Sequence, residues 1–553
     1  GITLDVEDAV HPVHNVLVRR FTIRTLDNQR KIVKLFFNHD LYIYGDKQKD
    51  TAFYEPYTNS VIHYRDQRYF LIGGDTSAPE QCVVGHRGGA YDSVLHSKSK
   101  VQSCGITSFT VGKSNYRGLE GTWRDAEDGV LSGHPIEQGS VDSTVGIHSI
   151  VEPGKEATVT LWLCVGQSLE EVISLQERVT EDTPERLVRN ATNYWKSWVN
   201  KRRIDFGSLD SRTIELYKRS LLQVRLHADN GGGILAAADA DIMAFNRDTY
   251  TYVWPRDGAF ICTALDKAGY GEVSHRFFEF CIRAQTVDGY MLHKYNPDGS
   301  VGSSWHAWFK NGEPQLPIQE DETALVLYAM HKHFEQDQDF EFLQRVYESF
   351  VRKAAEFLCA FREEATGLPL PSYDPWEEQR GIFTYTTATV IAGLHAAAHM
   401  AQMLGHHAHS ERYQHVADEM KQALLFHLYD EKEGRFLKKI VRKDGQTIER
   451  DPTPDASITS IWKLGVLPVD DPRVVSTMDA LDRLLTVKTT VGGWARYTND
   501  SYHFPGSPTA EATGNPWIIT TLWKAQWIIA RAKTKQDLVR AKDATDWVPP
   551  PPP

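Results

Sequence analysis

Through residues 1–167 apolar and polar positions alternate in short runs, as in Phe21-Thr22-Ile23-Arg24 and Thr158-Val159-Thr160-Leu161, with turn-rich stretches such as Gly73-Gly74-Asp75 between them. A period of two, carried by β-branched and aromatic residues, fits strands with one buried face and predicts an antiparallel β-sandwich. From Ser168 the period changes. Residues 168–204, rich in Glu, Arg and Leu and carrying Thr183-Pro184-Glu185, read as a helical linker. Beyond it the pattern is helical almost throughout. Val273, Phe277, Phe280 and Cys281 share one face, and Leu343, Val346, Phe350, Ala354 and Phe357 repeat the i, i+3, i+4 spacing. Further helices are predicted near Ser211, Asp257, Asp321, Thr384, Ser410, Asp455, Asp471, Asn515 and Lys535, about eleven in all. Helices with one apolar stripe must pair, so residues 205–548 should form stacked hairpins or a ring of them. An even ring wants one more helix, and any further strands of the sandwich would precede Gly1, so both ends are expected to be missing. The prolines at 549–553 read as a polyproline tail or a cut end.

At 553 residues the chain exceeds the size at which a single core stops growing, so two or more domains are expected. Apolar residues at 41% and charged residues at 24% describe a globular protein rather than a disordered or fibrous one. Lys plus Arg number 61 against 73 Asp plus Glu, and a net charge of −12 lacks the basic footprint that nucleic acids and anionic membranes require. The best apolar run, near Thr387 to Met400, is broken by His395 and His399, short of the roughly 18 residues a membrane span needs. Cys82, Cys104, Cys164, Cys262, Cys281 and Cys359 lie far apart without a C-x-x-C pair and read as free buried thiols. The start, Gly1-Ile2-Thr3-Leu4, has neither an initiator Met nor an apolar signal region; it is expected to be processed or cut, with a cytoplasmic location as the default.

The residues suited to chemistry concentrate in loops ahead of helices. In Pro371-Ser372-Tyr373-Asp374-Pro375-Trp376-Glu377-Glu378 a carboxyl stands beside an indole, in a segment that two prolines keep out of a helix interior. Such a carboxyl can have the raised pKa a general acid needs, although a Glu-Glu pair is usually solvated surface. In Trp254-Pro255-Arg256-Asp257 the guanidinium and carboxylate suit sugar hydroxyls, and the indole offers a flat face to a pyranose; an Asp N-cap beside a surface Arg would give the same letters. Gln319-Glu320-Asp321-Glu322 sets acids at a helix start, where the helix dipole alone would favour them. Trp494-Ala495-Arg496-Tyr497 and the run from Thr509 through Glu511 and Gly514-Asn515-Pro516-Trp517 repeat the mixture. A ring of helices presenting Trp, Arg, Asp and Glu from one end makes a carbohydrate-binding cavity. His395 and His399 stand at i, i+4 without the Glu of a zinc-protease helix, Gly231-Gly232-Gly233 has no preceding strand or phosphate-binding Lys, and no G-x-S-x-G occurs. Metal, nucleotide and serine-hydrolase chemistry are therefore not expected.

These loops, in this order, resemble glycoside hydrolase family 15, specifically its prokaryotic glucoamylase branch. The resemblance runs through Trp254-Pro255-Arg256-Asp257, Pro317-Ile318-Gln319, Tyr373-Asp374-Pro375-Trp376-Glu377-Glu378, Ala495-Arg496-Tyr497 and Gly514-Asn515-Pro516-Trp517, with Glu7-Asp8-Ala9-Val10-His11-Pro12 and Asn38-His39-Asp40 in the N-terminal part. It implies a β-sandwich, a helical linker and an (α/α)6 barrel of six helix pairs. It also implies an inverting exo-acting α-glucosidase that releases β-D-glucose from maltooligosaccharides or starch, trehalose and dextran being alternative substrates; no cofactor is expected. By position Glu377 resembles the general acid. Trp254, Arg256, Asp257, Gln319, Asp321, Trp376, Glu378, Arg496, Glu511 and Trp517 resemble the residues around the terminal glucose, with Glu378 helping to keep Glu377 protonated. In the family the general base follows the Asn-Pro-Trp helix. No matching Glu precedes Pro553, so a second expectation is a glucan-binding chain without turnover. An inverting phosphorylase would need a phosphate-binding cluster, which the sequence does not display.

Overall fold

A computed structural model of the chain describes residues 1–78, 105–238, 248–310, 312–443 and 446–548; Cys82, Cys104 and the prolines at 549–553 lie outside them. Two units result, Gly1–Lys201 and Arg202–Pro553. In the first, β1 (Ile2–Val10), β2 (Val16–Thr25), β3 (Lys31–His39), β4 (Asp50–Glu55), β5 (Ser60–Arg65), β6 (Arg68–Thr76), β7 (Ser108–Lys113), β8 (Ile136–Gly139), β9 (Val141–Val151) and β10 (Glu156–Gly166) pair antiparallel. They form two sheets, ordered β1-β2-β10-β6-β5-β4-β8 and β3-β9-β7.

The period of two decides which face each side chain meets. Phe21, Ile23, Ala157 and Val159 of the large sheet share a core with Val33, Ile147 and Val151 of the small one, and Ala52, Val61 and Ile72 meet Val111, Val141 and Val145 in another. The opposite face of the large sheet, with Val18, Ile62, Leu71 and Trp162, is covered by Val172, Ile173 and Val179 of α1 (Leu169–Asp182) and by Leu187 of α2 (Pro184–Val199). The stretch read as a linker is thus helical and lies on the sheet. Ser168 caps α1 by accepting from the Glu171 N–H at 3.2 Å, and Pro184 opens α2.

The second unit is built from α3 (Ser211–His227), α4 (Pro255–Ala268), α5 (Gly271–Ala284), α6 (Glu320–Asp337), α7 (Phe340–Val346), α8 (Arg352–Ala360), α9 (Thr384–Met403), α10 (His407–His427), α11 (Ser460–Lys463), α12 (Pro472–Leu485), α13 (Ile518–Arg531) and α14 (Lys535–Asp546). The apolar stripe from Leu343 to Phe357 runs through α7 and α8, which a π turn at Tyr347–Val351 joins. The helix predicted near Asp455 is only a 3-10 turn, Ala456–Thr459, running into the four residues of α11. α6 and α9 are buried almost all round and pack against each other, α4 lies against α6, and α10 against α9. Small residues let α9 into the centre: a Cβ on Gly393 would stand 2.7 Å from the Ala324 carbonyl oxygen of α6. The first and last helices meet, Lys542 Nζ reaching Asp210 at 2.8 Å and the Arg212 guanidinium donating to the Asp546 carbonyl at 3.2 Å. The helical array therefore closes on itself. Among the described residues no helix is long and apolar enough to cross a membrane, and Cys164, Cys262, Cys281 and Cys359 are free and buried.

Candidate active site

The chemistry-bearing loops meet at the N-terminal ends of α4, α6 and α9 and just before α11 and α13. The hairpin that carries both glutamates pairs Ser372 with Gly381 and Tyr373 with Arg380. Its turn is stapled by the buried Asp374, whose Oδ1 accepts from the backbone N–H groups of Glu378 and Gln379, each at 2.8 Å. Glu377 takes a left-handed φ of 64°, a conformation that costs a non-glycine residue roughly 1–2 kcal/mol. This turn sends the two carboxylates to different partners.

Glu377 Oε1 accepts from the Trp254 indole N–H at 2.6 Å, lies 2.9 Å from His293 Nε2 and 3.7 Å from the Arg256 guanidinium. Burial pushes this carboxyl up, but the hydrogen bond and charge of His293 and the charge of Arg256 outweigh it and bring it down to about 2. The apolar setting and raised pKa that the Trp-flanked loop suggested are therefore not what the fold supplies. Nor does Glu378 act on it as a free neighbouring charge, because Glu378 is bound by Arg496 at 2.9 Å and by the Tyr497 hydroxyl at 2.5 Å.

Arg496 is a hub. It grips Asp500 through two hydrogen bonds of 2.7 Å. Its guanidinium also lies over the rings of Tyr502 at 4.8 Å, Trp517 at 5.0 Å and Trp376 at 5.3 Å. Arg496 is 4% exposed, and a paired, ring-stacked guanidinium is held in one orientation. The Trp376 N–H donates to Asp455 at 3.0 Å, and Asp455 also pairs with the buried Lys438 at 3.2 Å.

Arg256 occupies the first turn of α4, where Pro255 opens the helix. Its guanidinium donates to Gln319 and lies 3.2 Å from Asp321 and 3.1 Å from Glu322, while its backbone N–H donates to Glu322. Asp321 accepts further from the Tyr385 hydroxyl at 3.0 Å. The acids of the α6 start are thus held by a guanidinium, beyond what the helix dipole explains. Glu320 differs: it is fully buried, neither carboxyl oxygen has a partner among the described residues, and burial pushes its pKa well up. Asp257 lies 3.8 Å from Arg256 with its side chain 54% exposed.

The structure brings together Trp254, Arg256, Asp257, Gln319, Asp321 and Glu377 as one cluster and Trp376, Glu378, Arg496 and Trp517 as another. Glu511 is exposed, and no hydrogen bond or ion pair joins its carboxylate to either cluster among the described residues. The sequence reading missed His293, His306, Tyr385, Lys438, Asp455 and Asp500. Each is a single letter in an ordinary context; only the Tyr373 ring stacked on His306 at 3.8 Å sits within a quoted motif. His395 lies 3.6 Å from Asp418, and His399 stacks edge-on with His331. Among the described residues no group of three or more His, Cys, Asp or Glu is arranged to hold a metal ion.

Residues 212–542 match the sequence profile of glycosyl hydrolases family 15. An uncharacterized glycosyl hydrolase of Methanocaldococcus jannaschii is 29% identical over 565 residues, covering 99% of this chain and 80% of that protein. A glucoamylase of a Clostridium species is 21% identical over 416 residues, 70% of this chain and 55% of its own length. A solved bacterial glucoamylase complexed with acarbose superposes with a TM-score of 0.68 at 17% identity, over 98% of this chain and 75% of that one. That likeness gives the fold: N-terminal antiparallel sheets followed by a helical barrel.

Proposed function

This chain belongs to glycosyl hydrolases family 15, and from that membership we infer an inverting exo-acting α-glucosidase of glucoamylase type, which cuts terminal α-glucosidic bonds of maltooligosaccharides or starch and releases β-D-glucose. The observation that carries the reading is the divided glutamate pair at one end of a closed helical array, Glu377 facing Trp254, His293 and Arg256 while Glu378 faces Arg496 and Tyr497. In this reading Glu377 protonates the leaving oxygen. Arg256, Asp257, Glu378 and Arg496 hold the hydroxyls of the terminal glucose, Gln319 and Asp321 fix Arg256, and Trp254, Trp376 and Trp517 offer ring faces to the sugar. Inversion also needs a carboxylate that activates water on the opposite face of the sugar; Glu511 is the first residue of this chain to mutate in search of it.

Proton NMR of the chain with maltotriose, isomaltotriose and trehalose tests the proposal. β-Glucose appearing first from maltotriose supports it, whereas α-glucose appearing first would remove inversion. Glucose from trehalose or isomaltotriose alone would move the substrate to those linkages. Sugar line broadening without any glucose would leave a glucan-binding chain.

A further inference from the structure

We propose that His293 is the proton-holding partner of Glu377: the imidazole and the carboxyl form one hydrogen-bonded pair carrying a single proton, so that His293 positions the proton donor and sets the upper pH limit of the reaction. The inference rests on the reading of Glu377 as the donor of that proton.

Glu377 Oε1 accepts from the Trp254 N–H at 2.6 Å and lies 2.9 Å from His293 Nε2, to which the same indole N–H also points at 3.3 Å. The other ring nitrogen, Nδ1, lies 3.0 Å from the Ser304 hydroxyl, which can donate to it or accept from it. Neutral, the ring can hold its proton on Nδ1 and accept the indole N–H at Nε2, or hold it on Nε2 toward Glu377; as an imidazolium it offers Nε2–H to Glu377 and Nδ1–H to Ser304. It cannot swing away, because it stacks on His306 at 4.2 Å, His306 stacks in turn on Tyr373, and Trp305 closes the edge at 5.0 Å.

The groups facing this imidazole come from four places. Arg256, with Asp257 beside it, projects from the start of α4, and Lys294 is its chain neighbour, held over the rings of Trp254 and Trp305. His306 comes from the loop before α6, whose first turn adds Gln319 and the Asp321 and Glu322 already engaged by Arg256. Glu377 is the one carboxylate among these that the ring itself hydrogen-bonds. Arg256 and Lys294 oppose a further positive charge, and burial pushes the imidazole down against the pull of Glu377. A proton on His293 is thus supported by an ionised Glu377, and the two groups titrate as a unit.

A pair with one proton has two forms, imidazolium with carboxylate and imidazole with carboxylic acid, of which the second donates. In the step, the proton leaves the Glu377 carboxyl for the glycosidic oxygen as the bond from the anomeric carbon breaks, its electrons remaining on that oxygen. The carboxylate left behind keeps the N–H of His293, and the pair regains a proton from water. While the pair holds its proton the donating fraction is constant, so activity on natural glucosides falls only where the pair gives that proton up.

The test compares wild type with His293→Gln, which keeps an N–H donor but cannot titrate. kcat/KM is followed across pH on maltotriose and on an aryl α-glucoside whose leaving group needs no proton. On maltotriose the alkaline limb should move down by about one unit or more, a tenfold or greater loss on the alkaline side, while the aryl glucoside shows no such displacement. Superimposable alkaline limbs would overturn the proposal. Should His293→Gln not fold, or wild type release no glucose, ¹⁵N-histidine NMR of wild type and Glu377→Gln decides independently. The His293 titration should fall when the carboxylate is removed, and an unmoved titration would overturn the pairing. Absence of glucose from wild type tests the proposed activity, and the imidazole titration tests the pair.

Discussion

The left-handed backbone at Glu377 and the carboxylate staple of Asp374 separate two acids that the peptide chain sets side by side. Adjacent like charges ordinarily raise one another's pKa. Here each carboxylate has cationic or donor groups of its own, Arg256 and His293 on one side and Arg496 on the other, and the charges of His293 and Arg256 bring Glu377 down rather than up. Glu377→Gln keeps the volume and the acceptor oxygen for Trp254 but cannot give up a proton. Turnover of maltotriose should fall by at least about 10²-fold, with a much smaller loss on an aryl α-glucoside; equal losses on both substrates would remove the proton-donor role.

At the scale of the element, the site depends on how closely α6 and α9 approach. Gly393 meets the backbone of Ala324, which cannot rotate aside as a side chain could. Gly393→Ala gains helix propensity of about 1 kcal/mol but forces a separation that overpacking data put at about 1–3 kcal/mol. The clash should win, because the atoms met are main chain. A lower denaturant midpoint, together with a raised KM as the α6 start shifts Asp321 and Glu322 against Arg256, is the expected outcome. An unchanged or higher midpoint would mean that the helices have slack at this crossing.

For the molecule as a whole, each unit has its own apolar core, and the first carries an acid-sensitive group. His63 of β5 is 1% exposed, its Nε2 lies 2.7 Å from the Ser143 hydroxyl, and burial brings its pKa from 6.5 down to about 3, with His39 adding to the shift. The folded state refuses a proton that the unfolded chain accepts below pH 6.5. The stability is therefore whole above that pH and falls by roughly 1.4 kcal/mol per unit as the pH drops toward the folded value. Amide protection factors in β5 and β9, taken against the intrinsic exchange rate at each pH, should fall on acidification, and His63→Gln should flatten that dependence. The same acid response in the variant would assign it to another group.

The alternation of the first part, the helical stripes of the second and the order of the Trp, Arg and Glu loops were legible in the chain alone, because periodicity reports which face is buried and Pro, Gly and caps mark where elements begin. That reading reached the antiparallel sheets, the helical barrel, the family, and the loops that carry Arg256 and Arg496. It did not reach the shortness of the helix after Asp455, the environment of Glu377 or the partners His293, Asp455 and Lys438. Those depend on distances between segments far apart in sequence, 377 to 293 and 376 to 455. A carboxyl beside a tryptophan in sequence suggests an apolar pocket; whether a histidine and a guanidinium close over it is decided by which helix starts the closed array brings to the same end.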